Sequence, residues 1–412
     1  MLPIVVVGAG PKGAALAAKS KVLRDHGHEV PEVVILEQHE IGANWSGTYG
    51  FTTGTQRLGT PPEKDIGFPY TIDSADPNVT RALFRDYSWI SYQIFARTYY
   101  SEWVDRGRPH PTHMEWGRYL AWVIKKAGTK VIKSRVNSVS LNGDSWLVHT
   151  SSSGAIEAQG VMFTGPGSVK PLGIEVPTSD SIVDGQEFWR RRDVVNGLQD
   201  EGEDSLPVVV IGGGETAASI VSYLLDHVLP SIPILVLTRS SAIFTRGEGY
   251  YENRIFTDFQ NWRALPKEVR LDAIRRSDRG VFSVEVVRKI AHAHNLDHRF
   301  MEVRRIEAID RLLLRINGAL ECQLIVQAAG FDATWFVGLF EPEVRAKLPT
   351  DIAGAVGHDL SIDHNTGLPK IFVPMLAGLE QGPGFPNLSC LGTLSDRILQ
   401  RTPAGAGDYL VD

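Results

Sequence analysis

Two short glycine-rich segments have the residue types and spacing that bind nucleotide phosphates. Each follows an apolar run, Ile4 to Val7 or Val208 to Ile211, and precedes an alanine-rich stretch with helical periodicity. Glycines let a pyrophosphate approach the backbone, and the helix N-terminus offers free N–H groups. Two such loops in one chain predict an oxidoreductase that uses two nucleotides. The predicted nucleotide-binding residues are Gly8, Gly10, Pro11, Lys12 and Gly13 in the first loop, and Gly212, Gly214, Glu215 and Thr216 in the second.

The residues that end the next apolar run distinguish the two nucleotides. After the first loop, the run ends in Glu37, whose carboxylate can accept hydrogen bonds from ribose hydroxyls, so we expect FAD or NAD there. After the second loop, the matching run is followed by Arg239 and by no acid. A guanidinium suits a 2′-phosphate, so we expect NADPH, with a solvated arginine at a strand end as the alternative.

Cysteine usage limits where the electrons can go. Cys322 and Cys390 are far apart in the sequence, and each lies in an apolar stretch. A flavin disulfide reductase needs a close redox pair, so we interpret both cysteines as buried and inert. The remaining acceptors for a reduced flavin are dioxygen and small electron acceptors.

Composition excludes several other classes of protein. The 412 residues suit two or three domains, and a net charge of −6 argues against a nucleic-acid-binding surface. No apolar run approaches the roughly 18 residues of a membrane span, and the N-terminal stretch lacks a basic leader, so we expect a cytoplasmic protein without membrane insertion. His292, His294 and His298 cluster, but no cysteine or carboxylate completes a ligand set. We interpret these histidines as a solvated helix face and expect no metal.

The order of the elements predicts an α/β fold with two Rossmann-like dinucleotide-binding domains, the NADPH domain being inserted in the FAD domain, plus a small, mostly helical substrate-binding region. A polar stretch before Pro207 supports one boundary, and Gly330 after a short apolar run supports the other. We place the first FAD segment at residues 1–190, the inserted NADPH domain at 205–325 with the helical region around 250–300, and the return segment with the C-terminal tail at 326–412.

A pair of residues with capping-box spacing predicts a helix in the first domain. Thr112 stands three residues before Glu115, and Gly128 closes the segment. We interpret the aromatic residues of this helix, and those between Tyr87 and Trp103, as core rather than as a platform on which bases stack.

Several further segments resemble those of a known enzyme family, and together they are much more specific than the glycine loops. On them the chain resembles, over nearly its whole length, the flavin-dependent N-hydroxylating monooxygenases of siderophore synthesis, and within these the mycobactin-type and nocobactin-type lysine N6-monooxygenases. The segments are 42–45 (GANW), 57–60 (RLGT), 62–65 (PEKD), 212–219 (GGGETAAS), 244–249 (FTRGEG), 278–283 (DRGVFS) and 381–392 (QGPGFPNLSCLG).

The resemblance implies FAD and NADPH as cofactors, and L-lysine and dioxygen as substrates. In such an enzyme NADPH reduces the flavin, dioxygen adds at the flavin C4a carbon, and the neutral side-chain amine attacks the resulting hydroperoxide. We therefore expect no catalytic side chain, because the protein positions the reactants and excludes water. The resemblance also implies a homo-oligomer and a functional link to the non-ribosomal peptide synthetases of siderophore assembly.

The resemblance assigns roles to single residues as well. Lys64 matches the lysine that contacts the substrate carboxylate, Asn253 matches the asparagine that binds the substrate backbone groups, and Arg239 matches the arginine of the NADPH 2′-phosphate. The other predicted cofactor contacts are Trp45 beside the flavin, for which a core role is the alternative, Gly330 at the return to the first domain, and Leu394 and Ser395 in a closing motif that faces the flavin or the substrate.

Two departures from the family pattern leave the substrate open. Ornithine-type members carry an asparagine where this chain has Asp278, and Gln56 is the one nearby counterpart of their flavin-flanking glutamine. We retain Asp278 and Gln56 as predicted cofactor contacts. Ornithine and N6-acylated lysine remain alternative substrates, and a largely uncoupled NADPH oxidase remains an alternative activity.

Overall fold

The computed structural model describes residues 1–49, 52–71, 76–152, 154–362 and 367–399. The predicted tail, Thr402 to Asp412, lies outside the described residues. The strands are β1 Ile4–Val7, β2 Val33–Glu37, β3 Lys130–Lys133, β4 Val136–Asn142, β5 Ser145–Thr150, β6 Gly154–Ala158, β7 Gly160–Phe163, β8 Ile182–Asp184, β9 Val208–Ile211, β10 Ile234–Thr238, β11 Phe244–Thr245, β12 Val281–Phe282, β13 Leu296–Phe300, β14 Ile306–Ala308, β15 Leu314–Ile316, β16 Leu320–Cys322, β17 Leu324–Gln327 and β18 Lys370–Phe372. The helices are α1 Pro11–Asp25, α2 Pro77–Tyr87, α3 Trp89–Ser91, α4 Tyr100–Asp105, α5 His113–Lys126, α6 Glu187–Arg190, α7 Glu215–His227, α8 Tyr250–Arg254, α9 Phe259–Ala264, α10 Lys267–Ser277, α11 Val284–Ile290, α12 Pro342–Arg345, α13 Gly378–Gln381 and α14 Leu391–Ile398.

The first sheet is parallel and has the strand order β18-β7-β1-β2-β3. β1 lies in its middle, where Val5 pairs with Val34 on one side and with Val161 on the other. α1 follows β1 directly and packs against α5 and α14. Its buried Ala14, Ala15 and other small side chains allow this close packing.

The second sheet is also parallel and has the order β13-β10-β9-β17-β8. The chain leaves the first sheet after β7 and returns to it at β18. The second nucleotide-binding domain is therefore inserted in the first, which confirms the predicted fold class. Both glycine loops follow a central strand and open a helix, as a Rossmann-like arrangement requires.

The structure differs from the boundary predicted between residues 190 and 205. Ile182 of β8 pairs with Ile325 of β17 in the second sheet, and Phe188 and Trp189 pack in the second core. The polar stretch before Pro207 therefore lies inside the second domain, because a short edge strand and one helical turn that precede it already belong to that domain.

Helices α8 to α11 lie in the region predicted to be helical, and α9 and α10 lie against the return segment of the first domain. Trp262 Nε1 donates a hydrogen bond to the Leu379 carbonyl at 3.0 Å, and Arg270 Nη1 donates to the same carbonyl at 2.9 Å. Because these contacts join α9 and α10 to α13, the helical region is anchored where the two domains meet.

The structure confirms the helix predicted at Thr112. In its capping box, Glu115 N donates to Thr112 Oγ1 at 3.2 Å and Thr112 N donates to Glu115 Oε2 at 2.9 Å. Trp89, Trp116 and Tyr119 are buried and contact one another. These aromatic residues therefore form core, as predicted. The prediction is wrong at Phe95, which is 69% exposed.

The prediction that His292, His294 and His298 lie on one helix is wrong. α11 ends at Ile290, and His298 lies in β13, where its Nε2 is 2.8 Å from Thr238 Oγ1. Pairing of β13 with β10 overrides the helical pattern that its sequence suggested. Within the described ranges, no group of three His, Cys, Asp or Glu residues is placed to hold a metal ion. No helix of the described chain has both the length and the apolar character needed to cross a membrane.

Candidate active site

The first glycine loop, between β1 and α1, leaves no room for side chains at two positions. Gly8 has a φ of +109°, and a Cβ atom there would lie 2.3 Å from Thr164 Oγ1. A Cβ atom on Gly13 would lie 2.9 Å from the Gly8 carbonyl oxygen. A Cβ atom on Gly10, in contrast, would meet open space. The loop therefore exposes its backbone at the N-terminus of α1, which fits a pyrophosphate.

Glu37 lies beside this loop and is fixed by two backbone N–H groups. Ala9 N donates to Glu37 Oε2 at 2.9 Å, and His39 N donates to Oε1 at 2.9 Å. α1 begins at Pro11 without a side-chain cap, so its first N–H groups stay free for an anion. The remaining lone pairs of the Glu37 carboxylate can accept ribose hydroxyls. These features fit the FAD predicted here.

The Lys12 side chain connects the first loop to the return segment. Its Nζ donates to the carbonyls of Pro386 at 2.8 Å and Asn387 at 3.3 Å, and burial lowers the pKa of Lys12 to about 8. Asn387 Nδ2 in turn donates to Asp278 Oδ1 at 3.1 Å. Asp278 therefore links the inserted segment to the flavin loop through Asn387. The contact of Asp278 with a cofactor stays a prediction.

The second glycine loop is restricted at its first glycine. Gly212 has a φ of +143°, and a Cβ atom there would lie 2.3 Å from the Ala328 carbonyl oxygen. α7 starts at Glu215 and also lacks a side-chain cap, which leaves the N–H groups around Thr216 free. Glu215 accepts from Ser283 N at 3.1 Å, and desolvation of its carboxyl raises the pKa of that group. The loop fits a second dinucleotide.

Arg239 is exposed at the carboxyl end of β10, the strand beside this loop. Thr238, its neighbour, lies against the loop, because a Cβ atom on Gly213 would be 3.1 Å from Thr238 Cγ2. The structure therefore places Arg239 next to the region where the ribose of a nucleotide on this loop would lie.

Arg239→Ala tests the predicted 2′-phosphate contact. We expect the substitution to weaken the binding of NADPH by roughly 1–3 kcal/mol, because a charge-assisted contact is lost. The binding of NADH should stay nearly unchanged. The measurement is the KM of each nucleotide for flavin reduction. Arg304→Ala serves as the matched control, since Arg304 is exposed and paired with Glu302 at 2.8 Å. Equal losses for both nucleotides would refute the assignment.

Lys64 and Asn253 come together although they lie far apart in the sequence. Lys64 Nζ donates to Asn253 Oδ1 at 2.8 Å across a separation of 189 residues. Lys64 belongs to the first domain, and Asn253 lies in α8 of the inserted segment. Burial, and secondly the nearby Arg246, lower the pKa of Lys64 to about 8. The ammonium keeps donors free for a further acceptor, such as a carboxylate.

A buried acid next to Lys64 holds the turn that carries it. Asp65 accepts from Tyr70 Oη at 2.7 Å and from Trp89 N at 2.7 Å, and burial raises the pKa of Asp65 to about 7. Gly392 N of α14 donates to the Phe68 carbonyl at 2.7 Å. The N-terminal end of α14 therefore packs on the Lys64 turn.

The structure shows what the remaining predicted contact residues touch, and their cofactor and substrate roles stay predictions. The half-buried Trp45 ring packs edge-on against His113 at 4.9 Å. Gln56 Oε1 accepts from Thr53 N at 2.9 Å, so it braces its own loop. Ser395 is fully buried and its Oγ donates to the Leu391 carbonyl at 3.0 Å, which uses the hydroxyl proton within α14.

Two further predicted contacts are backbone or packing features. Leu394 is fully buried in α14. Gly330 has a φ of +95°, and its carbonyl accepts from Lys170 N at 2.8 Å, where the chain leaves the second domain. Cys322 and Cys390 are free and buried, and burial raises the pKa of each thiol to about 12, which fits the inert role expected of them.

Sequence reasoning missed the roles of Asp65 and Arg246. Asp65 follows Lys64 directly, but no local signal marks it as buried. Arg246 lies in the family-like segment 244–249, and its proximity to Lys64 depends on long-range folding. The sequence signal for Arg246 was its position in a glycine-containing segment that resembles the family.

The inserted second domain, the two glycine loops and the Lys64–Asn253 contact between the domains define a two-nucleotide oxidoreductase. The chain belongs to the family described as L-lysine 6-monooxygenase/L-ornithine 5-monooxygenase, whose profile matches residues 1–311. This confirms the resemblance drawn from the sequence segments.

Individual relatives agree with the family assignment. L-lysine N6-monooxygenase MbtG from Mycolicibacterium paratuberculosis is 40% identical over 425 residues, covering 98% of this chain and 96% of that protein. The structure of lysine monooxygenase NbtG from Nocardia farcinica superposes with a TM-score of 0.82 at 36% identity, covering 98% of this chain and 100% of that one. The ornithine N-hydroxylase KtzI from Kutzneria sp. 744 shares the fold, with a TM-score of 0.73 at 20% identity over 97% of this chain and 98% of that one.

Proposed function

We propose that this protein hydroxylates the side-chain amine, N6, of L-lysine with FAD, NADPH and dioxygen, for the synthesis of a hydroxamate siderophore. The observation that carries the proposal is the Lys64–Asn253 pair, a cation and an amide joined at 2.8 Å between the two domains. A free amino acid offers a carboxylate that suits such a pair. The L-lysine N6-monooxygenase MbtG and the lysine monooxygenase NbtG, at 40% and 36% identity, support lysine as the amino acid.

The two glycine loops divide the cofactors between the domains. The loop at Gly8, with Glu37 beside it, would hold FAD, and the loop at Gly212, with Arg239 beside it, would hold NADPH. Bound FAD would supply the reaction with dioxygen, and NADPH would supply the electrons. The domain that contains residues 182–327 would then deliver the nicotinamide to the flavin domain.

The protein's own work is to hold the substrate and to keep it uncharged at the reacting nitrogen. Lys64 would bind the carboxylate and Asn253 the neighbouring backbone groups. A lysine side-chain amine has an ordinary pKa of about 10.4 and must lose its proton before it can attack, so a partly desolvated pocket favours reaction. Phe68 and Phe256, whose rings lie 5.8 and 5.6 Å from Lys64 Nζ, supply apolar walls beside the cation.

We expect the pH dependence of lysine use to report the charge of Lys64. Its pKa of about 8 means that the ammonium is charged below pH 8 and is lost above it. Above pH 8 the KM for L-lysine should therefore rise, by up to about tenfold per pH unit. The measurement is the KM for L-lysine at saturating NADPH, determined apart from kcat, because loss of the proton of the substrate amine favours kcat over the same pH range. Lys64→Arg should remove this loss, because a guanidinium stays charged, and a loss that persists in this variant would assign it to another group.

One product assay tests the proposal against its alternatives. Purified enzyme with FAD and NADPH in air is given L-lysine, L-ornithine or N6-acetyl-L-lysine, and hydroxylamine product and hydrogen peroxide are both measured. We expect hydroxylamine chiefly from L-lysine. If hydroxylamine forms chiefly from ornithine or from acetyl-lysine, that compound is the substrate instead of L-lysine. Hydrogen peroxide without hydroxylamine would show that the protein is an NADPH oxidase.

We further propose that the enzyme is a cytoplasmic homo-oligomer that works beside a non-ribosomal peptide synthetase. The two free cysteines support a reducing compartment. The oligomer and the synthetase link come from the family resemblance, and light scattering of the purified holoenzyme measures the first of them directly.

A further inference from the structure

Arg246 and Lys64 approach the same buried aromatic ring. The guanidinium carbon of Arg246 lies 5.0 Å from the centroid of the Phe256 ring, and Lys64 Nζ lies 5.6 Å from that centroid. Phe256 is fully buried, so the ring fixes both contacts. Two positive charges from different domains thus lie beside one side chain.

Neither cation has its charge balanced by a direct ion pair. In the part of the chain that the structure describes, neither Lys64 nor Arg246 forms an ion pair with a carboxylate. Glu215 and Glu248 are the acids whose charges act on them, but the Glu215 carboxylate accepts a hydrogen bond from Ser283 N at 3.1 Å and Glu248 is exposed. Two neighbouring cations without a partner are unfavourable, and a bound anion would offset that cost.

The segment that carries Arg246 is held in place on several sides. Arg246 N donates to the Phe282 carbonyl at 2.8 Å, and Asn253 Nδ2 donates to the Glu248 carbonyl at 2.9 Å. A Cβ atom on Gly247 would lie 2.0 Å from Glu252 Oε1, so the carboxylate folds tightly over the loop. Arg246 and Asn253 are therefore parts of one braced unit that faces Lys64.

We propose that Arg246 and Lys64 together bind the α-carboxylate of the amino-acid substrate, and that Arg246 thereby makes the enzyme select amino acids over diamines that lack this group. The inference rests on the proposed function. A guanidinium can donate two parallel hydrogen bonds to a carboxylate, which the Lys64 ammonium cannot. A diamine such as cadaverine keeps the reacting amine but offers nothing to this pair of cations.

Arg246→Gln tests the proposal through the choice between L-lysine and cadaverine. We expect the KM for L-lysine to rise roughly 10- to 100-fold, since a charged hydrogen-bonding partner is lost, while kcat and the KM for cadaverine stay within about threefold. Arg246→Lys should recover part of the loss because it restores the charge. Calorimetric titration of the FAD-loaded protein with L-lysine gives the same comparison without turnover.

Arg276→Gln is the matched control. Arg276 also lies over a ring, 5.9 Å from the Phe244 centroid, but is exposed and pairs with Asp272 at 3.0 Å. Its removal should leave the lysine-to-cadaverine preference unchanged. FAD content and thermal unfolding show whether each variant is folded.

Three results would overturn the inference: an equal loss for lysine and cadaverine, a loss confined to the KM for NADPH, or an unchanged preference. Failure of the proposed function looks different, because the unmodified enzyme would then form no hydroxylamine from L-lysine. An unmodified enzyme that hydroxylates lysine, together with an Arg246→Gln variant of unaltered preference, refutes the role of Arg246 only.

Discussion

Gly212→Val is expected to abolish reduction of the bound flavin by NADPH while the protein keeps its FAD. The valine Cβ would lie 2.3 Å from the Ala328 carbonyl oxygen, at a φ of +143° that side chains rarely adopt. The backbone of the second loop must then shift, at a cost on the order of 3 kcal/mol, and a shifted loop no longer fits the pyrophosphate. We expect the rate of anaerobic flavin bleaching at subsaturating NADPH to fall by about 100-fold or more.

Gly197→Val is the control for this variant. Gly197 lies in the same domain, and a Cβ atom there meets nothing within 4 Å, so the rate should be unchanged. Gly8→Val makes the reciprocal comparison, since a Cβ atom there would lie 2.3 Å from Thr164 Oγ1, and this change should prevent FAD binding. If Gly212→Val lost FAD and still bound NADPH, the two loops would have to exchange their assignments.

The parts of the fold that follow from local signals could be predicted from the sequence. A β-strand, a glycine turn and an alanine-rich helix are adjacent in the chain, so the loops at Gly8 and Gly212 are readable without tertiary information. The same holds for the capping box of Thr112 and Glu115, whose two hydrogen bonds join residues three apart. In both motifs the spacing of the residues along the chain determines the local geometry, so the sequence alone is sufficient to recognise them.

Features that depend on distant partners could not be predicted in this way. β8 has only three residues, and it is a strand of the second domain because Ile182 pairs with Ile325. His298 was assigned to a helix, but its segment pairs with β10 instead. In each case a sheet contact made far along the chain overrides the local pattern.

The candidate site shows the same division. Lys12 is recognisable as part of a phosphate loop, but its side chain bonds to carbonyls that lie 374 and 375 residues later. Lys64 and Asn253 were singled out through family resemblance, and their 2.8 Å contact depends on how the inserted segment folds back on the first domain. Arg246 carries no local sign of its position beside Lys64.

Lys64→Ala is the variant that separates substrate binding from flavin reduction. Because a half-buried ammonium and its charge-assisted hydrogen bonds are lost, we expect the KM for L-lysine to rise by roughly 10- to 150-fold, or about 1.5–3 kcal/mol. Anaerobic reduction of the flavin by NADPH should change by less than about threefold, since the second loop and Arg239 are untouched. The two measurements are lysine-dependent hydroxylamine formation and stopped-flow bleaching of the flavin.

Lys125→Ala controls for the loss of a lysine as such, because Lys125 is exposed on α5 of the same domain. Asn253 would lose the donor to its Oδ1 in the Lys64→Ala variant, but its Nδ2 bond to the Glu248 carbonyl at 2.9 Å should keep α8 in place. The braced unit therefore persists, and a raised lysine KM then reports the missing cation. An unchanged KM for L-lysine would show that another part of the protein binds the substrate carboxylate. Slower flavin reduction with an unchanged KM for L-lysine would show the same.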